Sequence, residues 1–265
     1  MNKKQITLFT ILLFLIPCFC RYFDNESGGV YDNPNLSMYI WGISPIFMTL
    51  VFRTYNKDWK GLDIELHFRK NWKWYIFAVA LYPVTCSIQI LISQLVGSLE
   101  MTENFSISQI ITSIFSGFGL IFLKNISEEF TWRGYLTYSF DEKGMSRIKN
   151  HFIVSIIWSI WHIPFIGRGI SFNSGNNFWA SFIMWMIFGF IVSIIYGEIR
   201  LRIKTVWPIV LLHTFGNLVL PSALSYEMVN VFQKYTYLVG VHQENLLSMT
   251  LFSIIAWIIY RKNTD

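Results

Sequence analysis

Ser127-Glu128-Glu129-Phe130-Thr131-Trp132-Arg133-Gly134 begins three residues after the apolar run Ile107–Leu123, so two adjacent carboxylates and a guanidinium stand at the mouth of a hydrophobic segment. Charges at or within a bilayer are costly, as a rule face the protein interior, and mark function. In a helix Glu129 and Arg133 lie four residues apart on one face, carboxylate first, the order that pairing prefers. Glu128 is turned about 100° away and is left for a partner on another element.

The chain around this stretch reads as a membrane protein. Of its 265 residues 53% are hydrophobic and 14% charged, against about 25% charged in an average soluble domain. Apolar runs that approach spanning length occur eight times: Gln5–Cys20, Leu36–Phe52, Trp72–Val96, Ile107–Leu123, His151–Ile166, Phe178–Tyr196, Val206–Leu220 and Leu246–Tyr260. With the N-terminus inside, 18 of the 21 Lys and Arg residues fall in cytoplasmic segments, and only Arg21, Arg168 and Lys234 fall outside. That bias sets topology. The predicted fold is an all-α polytopic membrane bundle of eight transmembrane helices, one integral-membrane domain over residues 1–265, both termini cytoplasmic. The net charge of +5 belongs to this topology and not to nucleic-acid binding. The lipid bilayer is the first partner; the oligomeric state is not legible.

Cys18, Cys20 and Cys86 are odd in number, lie in or beside apolar runs and lack metal-ligand spacing, so they read as buried, inert thiols. Lys3-Lys4 followed by Ile6–Ile16 imitates a signal peptide, but no small-x-small cleavage site follows, and the segment reads as a retained first span. The segment Arg53–Lys73 interleaves aromatic and aliphatic residues with charge, as a headgroup-lying strap or a solvated loop would. Asp24–Asn35 reads as a turn-rich connector, and Pro221–Asn245 as a surface stretch with room for a short helix. Gly189, Ser193 and Gly197, like Ser155 and Ser159, recur every four residues and permit close helix approach.

Within the runs, ionisable residues are few. His162 lies in the fifth and His213 in the seventh, with Asn217 four residues on along the same helix face. A lone histidine in a span is commonly a structural hydrogen-bonding residue, Glu129–Arg133 reads equally well as a structural ion pair, and Trp158, four before His162, reads as packing. His67, His151 and His242 receive no role. Two histidines and a Glu pair on three helices together resemble a reaction centre. Pro164 frees the carbonyl of Ile160 and should kink or end its helix around His162.

Two mechanisms stay open on these residues. Glu128 with His162 could deprotonate a water that attacks a carbonyl, with His213 and Asn217 donating to the oxyanion and Glu129–Arg133 as support. Alternatively Glu128, His162 and His213 would make a His₂Glu set for Zn²⁺ with an open position. Other intramembrane protease plans fit worse. There is no His-Glu-x-x-His, Tyr31-Asp32 lacks a Gly-x-Gly-Asp partner, and no Gly-x-Ser-Gly lies within a span.

Glu128-Glu129-x-x-x-Arg133, Trp158-x-x-x-His162 and His213-x-x-x-Asn217 resemble the three motifs of the CPBP family, the CAAX prenyl proteases and the Abi-type, bacteriocin-processing enzymes. Phe130, Gly134, Ile163-Pro164 and Val206-Trp207-Pro208 agree with the motif flanks, and the resemblance covers about 107–220. Trp158 departs from the usual Phe. The resemblance implies a membrane-embedded endopeptidase reached from the cytoplasm, with Glu128 and His162 activating water and His213 and Asn217 at the oxyanion. It leaves open metalloprotease and metal-free glutamate chemistry, with Zn²⁺ or no cofactor. A residue usage rich in Ile, Phe, Asn, Ser and Lys points to an AT-rich bacterial source, its plasma membrane, and away from prenylated substrates. Expected substrates are a peptide precursor or a membrane protein. The alternatives are a non-enzymatic bacteriocin-immunity or scaffold protein and a proton-coupled transporter, the latter without an inverted repeat. Because Glu128 stands near a span edge by hydropathy, while His162 lies about 16 Å in, the fourth helix either runs on through Tyr135–Phe140 or breaks at Ser116–Gly119, and a long helix carrying Glu128 well below the headgroups is expected.

Overall fold

The computed structural model of the chain describes residues 3–24, 35–166, 178–224, 228–232 and 245–264. All eight apolar runs are helical: α1 (Lys3–Tyr22), α2 (Leu36–Asn56), α3 (Phe68–Leu95), α4 (Ile107–Thr131), α6 (Arg147–His162), α7 (Phe178–Ile203), α8 (Trp207–Ala223) and α9 (Leu246–Thr264), with a short α5 (Tyr138–Asp141) after α4. Polar residues set several ends. The Asn35 side chain accepts from the Met38 amide, and Ser106 from that of Gln109, the capping that orphan first-turn donors require. Pro208 opens α8, where its missing N–H costs nothing.

Five helical segments are long and apolar enough to cross a membrane: α1, α2, α3, the continuous run Ile107–Asp141, and α7. Of the eight expected spans, these five have the length and composition to cross a membrane. The helices α6 and α8 have 16 and 17 residues, about 24–26 Å of rise. Pro164 is the physical reason α6 stops early. It offers no N–H to the Ile160 carbonyl, which takes the Ile163 amide instead, and a 3₁₀ turn Ile163–Phe165 follows. The all-α bundle stands, and among the described residues it also carries one small antiparallel pair, β1 (Leu99–Met101) with β2 (Val229–Val231), Leu99 facing Val231. The second strand falls in the stretch where a surface helix had room. Tyr31, Asp32, Arg168, Lys234 and His242 lie outside the described residues.

The helix α4 lies between α2 and α8, α8 also packs on α3, and α7 packs on α6 and α9. One apolar core joins α3, α7, α8 and α9, a second joins α1, α2, α6 and Trp132–Phe140, and a smaller one gathers Phe130, Val206 and Val210. Before Ser127 the helix α4 exposes Ile107, Ile111, Phe115 and Leu123, a face suited to lipid, whereas Ser127 to Thr137 is buried throughout. The helix does not break at Ser116–Gly119; it runs on to Asp141 through a π-helical turn, Trp132–Thr137. Such wide turns concentrate at functional sites. Arg53 donates to the Gly134 carbonyl within it at 2.9 Å.

The small-residue spacing of α7 marks its contact with α6. Gly189 meets Trp158, Ser193 donates to the His151 carbonyl at 3.0 Å, and a Cβ on Gly197 would enter the His151 ring. Gly197→Ala is expected to cost about 1–3 kcal/mol by overpacking, read as a lowered unfolding midpoint in detergent; an unchanged midpoint would mean that α6 and α7 can part at this crossing.

The segment after α2 is neither a plain solvated loop nor a free strap. Arg53 donates to the carbonyls of Asp58 and Lys60, Arg200 to Gly61, Trp207 to Ile64, Thr205 to Glu65 and Tyr75 to Leu66. Its backbone is held by the bundle, and Trp59, Ile64 and Leu66 point outward.

Candidate active site

Two carboxylates one residue apart on a helix face different neighbours, and α4 uses both directions. Glu128 and Glu129 are each fully buried. Buried carboxylates need donors, and each has three or two. One oxygen of Glu128 is paired with the Lys124 ammonium; the other accepts from the indoles of Trp132 at 3.3 Å and Trp158 at 3.0 Å. Glu129 Oε1 accepts from Arg133 at 2.9 Å and stands 2.7 Å from His213 Nδ1. The Glu129–Arg133 pair expected from spacing is therefore present, and His213 joins it from α8. Arg133 also stacks its guanidinium over Tyr196, 4.9 Å from the ring centre.

Trp158 is the link between the first two motifs. Its indole donates to Glu128, and its carbonyl is 2.9 Å from His162 Nδ1. A carbonyl only accepts, so Nδ1 carries the proton and the neutral ring keeps its lone pair on Nε2. The reading of Trp158 as packing alone is corrected: an indole N–H reaches the carboxylate, which Phe at this position could not do. It packs as well, stacking on Trp185. His162 is enclosed by Trp41, Trp158, Trp161 and Trp185, with ring centres 4.2–5.6 Å away.

Glu128 was expected to meet His162, His213 and Asn217. His162 and His213 lie within electrostatic reach of it, but its direct partners are Lys124, Trp132 and Trp158. Asn217 donates instead to Asn125 at 3.2 Å, and Asn125 donates to Thr214 at 3.3 Å, tying α8 to α4 one turn before the carboxylates. Lys124 had been counted only as a cytoplasmic charge. Its signal was the four-residue spacing to Glu128, in the order that helices favour less, so the site and not local helix energetics holds this pair.

His151 had been placed at a span edge without a role. It is fully buried, 2.8 Å from Glu198, which also pairs with Arg147. No sequence spacing connects α6 with α7 at these positions; only packing does.

The His₂Glu set Glu128, His162 and His213 does not fit a divalent ion in this arrangement. Among the described residues no group of three His, Cys, Asp or Glu side chains is close enough to hold a metal. Glu128 already carries an ammonium, which would repel a dication, and His213 is turned to Glu129.

Residues 110–219 match the family model described as Rce1-like, type II CAAX prenyl endopeptidase Rce1-like. No curated protein matches the chain significantly. The matched segment holds Glu128, Trp158, His162, His213 and Asn217 together, and over it the chain is similar to the type II CAAX prenyl endopeptidases that the model describes.

Proposed function

We propose that this chain is an intramembrane endopeptidase that hydrolyses a peptide bond of a peptide precursor or membrane protein. The observation that carries the reading is Trp158, which hydrogen-bonds Glu128 with its side chain and His162 with its backbone. A water donating one proton to Glu128 and one to His162 Nε2 has its oxygen lone pair free for a carbonyl carbon. As the C–O bond forms, Glu128 takes the proton; it then gives that proton to the departing amine as the C–N bond breaks. The oxyanion is assigned to the α8 face that carries His213 and Asn217, where Asn217 keeps a second amide N–H beyond the one given to Asn125, and Glu129 with Arg133 holds His213 in place. The exposed apolar side chains of α1, α2 and α4 support a bilayer position, and the basic-residue bias supports cytoplasmic termini and a plasma-membrane location in a bacterium.

The test uses purified protein in lipid vesicles with a mixed library of fluorescence-quenched peptides. Wild-type cleavage is expected, with His162→Ala about 10²- to 10⁴-fold slower at equal folded content. Cleavage at an unchanged rate in His162→Ala sinks the assignment. Chelation followed by dialysis is expected to leave cleavage intact. Loss on chelation, restored by Zn²⁺, would instead make Glu128, His162 and His213 a ligand set.

A further inference from the structure

Three indoles at the site are spent as donors. Trp158 donates to Glu128, and so does Trp132. Trp161 donates to Ser44 Oγ at 3.0 Å. Trp41 is 3% exposed, yet its Nε1 has no acceptor among the described residues. Its ring meets His162 edge to face, 5.6 Å between centres at 83°, and is stacked on Trp161 and Phe165. Lys124, the partner of Glu128, lies 5.6 Å from the Trp41 ring centre. A buried N–H left unpaired forfeits the hydrogen bond it made to water.

The chain holds this indole with some care. Pro45 has no N–H to give the Trp41 carbonyl, and Ser44 Oγ donates to that carbonyl at 2.7 Å while accepting from Trp161. The Ile46 amide donates to Ser127 Oγ at 3.2 Å, and Thr49 donates to Thr131 at 2.9 Å. These bonds fix α2 against α4 on either side of Glu128. Trp41 therefore cannot drift from the site, although it lies outside the matched segment.

We propose that Trp41 is a substrate-contacting residue whose indole N–H donates to a carbonyl oxygen of the bound peptide beside His162. The inference rests on the endopeptidase reading. An indole nitrogen donates and never accepts, and the acceptors a peptide backbone offers are its carbonyls. The site has need of the donor: His213 Nδ1 is committed to Glu129, and Asn217 gives one of its two amide N–H to Asn125. A donor fixed before the reaction strengthens as charge develops on the oxygen.

The experiment takes the quenched peptide that wild type cleaves fastest in vesicles. Trp41→Phe keeps the ring stack and removes the N–H. A second variant carries benzothienylalanine at position 41, the shape of Trp with sulfur in place of N–H. Both are expected to lower kcat/KM on the order of 10²-fold with an unchanged unfolding midpoint. If Trp41→Phe misfolds, the benzothienyl variant decides. Wild-type cleavage with kcat/KM unchanged in the folded variant overturns the Trp41 assignment alone. No cleavage by wild type overturns the endopeptidase reading and this inference with it.

Discussion

Glu128→Gln is expected to slow peptide cleavage by about 10²- to 10⁴-fold while the protein remains folded. Gln matches Glu in shape and keeps an oxygen to accept from Trp158 or Trp132, but it takes up no proton from water. What it does disturb is Lys124, whose side chain is only 15% exposed and loses its counter-ion. The Trp41 face nearby retains a weak attraction for the ammonium. The double variant Lys124→Met with Glu128→Gln removes both charges, and replacing a buried ion pair in this way is often neutral for stability. Cleavage and the unfolding midpoint should therefore part company: the midpoint recovers in the double variant and cleavage does not. If cleavage recovers with the midpoint, Glu128 is a structural partner of Lys124 and not the base.

Arg133→Leu should produce the largest loss of stability, about 3–5 kcal/mol. Glu129 is completely enclosed, and its Oε1 takes both Arg133 and His213. Without the guanidinium a buried carboxylate keeps one partner, and the cation over Tyr196 is lost too. Removing the carboxylate as well, in Arg133→Leu with Glu129→Gln, should return much of the deficit, since no unpaired charge remains. Unfolding in detergent measures both. A single variant within about 0.5 kcal/mol of wild type, the usual range for a surface change, would mean that water reaches Glu129.

Much of the bundle was legible because lipid forces it to be. A backbone in hydrocarbon must pair within its own segment, so long apolar runs become helices, and all eight did. Pro164 and the α7 stripe of Gly189, Ser193 and Gly197 were legible for the same kind of reason, since a missing N–H or a missing side chain acts on its own helix or on the next one. The Glu129–Arg133 pair followed from helical spacing. Short helices were not separable from spans by apolar length, because α6 and α8 carry the composition of a span without its rise.

The sequence by itself determined that charges on three helices had to meet, since none could stay unpaired in the bundle; which groups met was decided by tertiary packing. Glu128 met Lys124 and Trp132 one turn away on its own helix but also Trp158 of α6, Glu129 took His213 of α8, and Asn217 went to Asn125, because adjacent residues of α4 face α6 and α8 in turn. The pinning of the segment after α2 by Arg53 and Arg200, the buried His151–Glu198 contact and the position of Trp41 beside His162 join residues far apart in the chain. No local periodicity carries such contacts. They exist only where helices pack closely enough that each buried donor must find its acceptor.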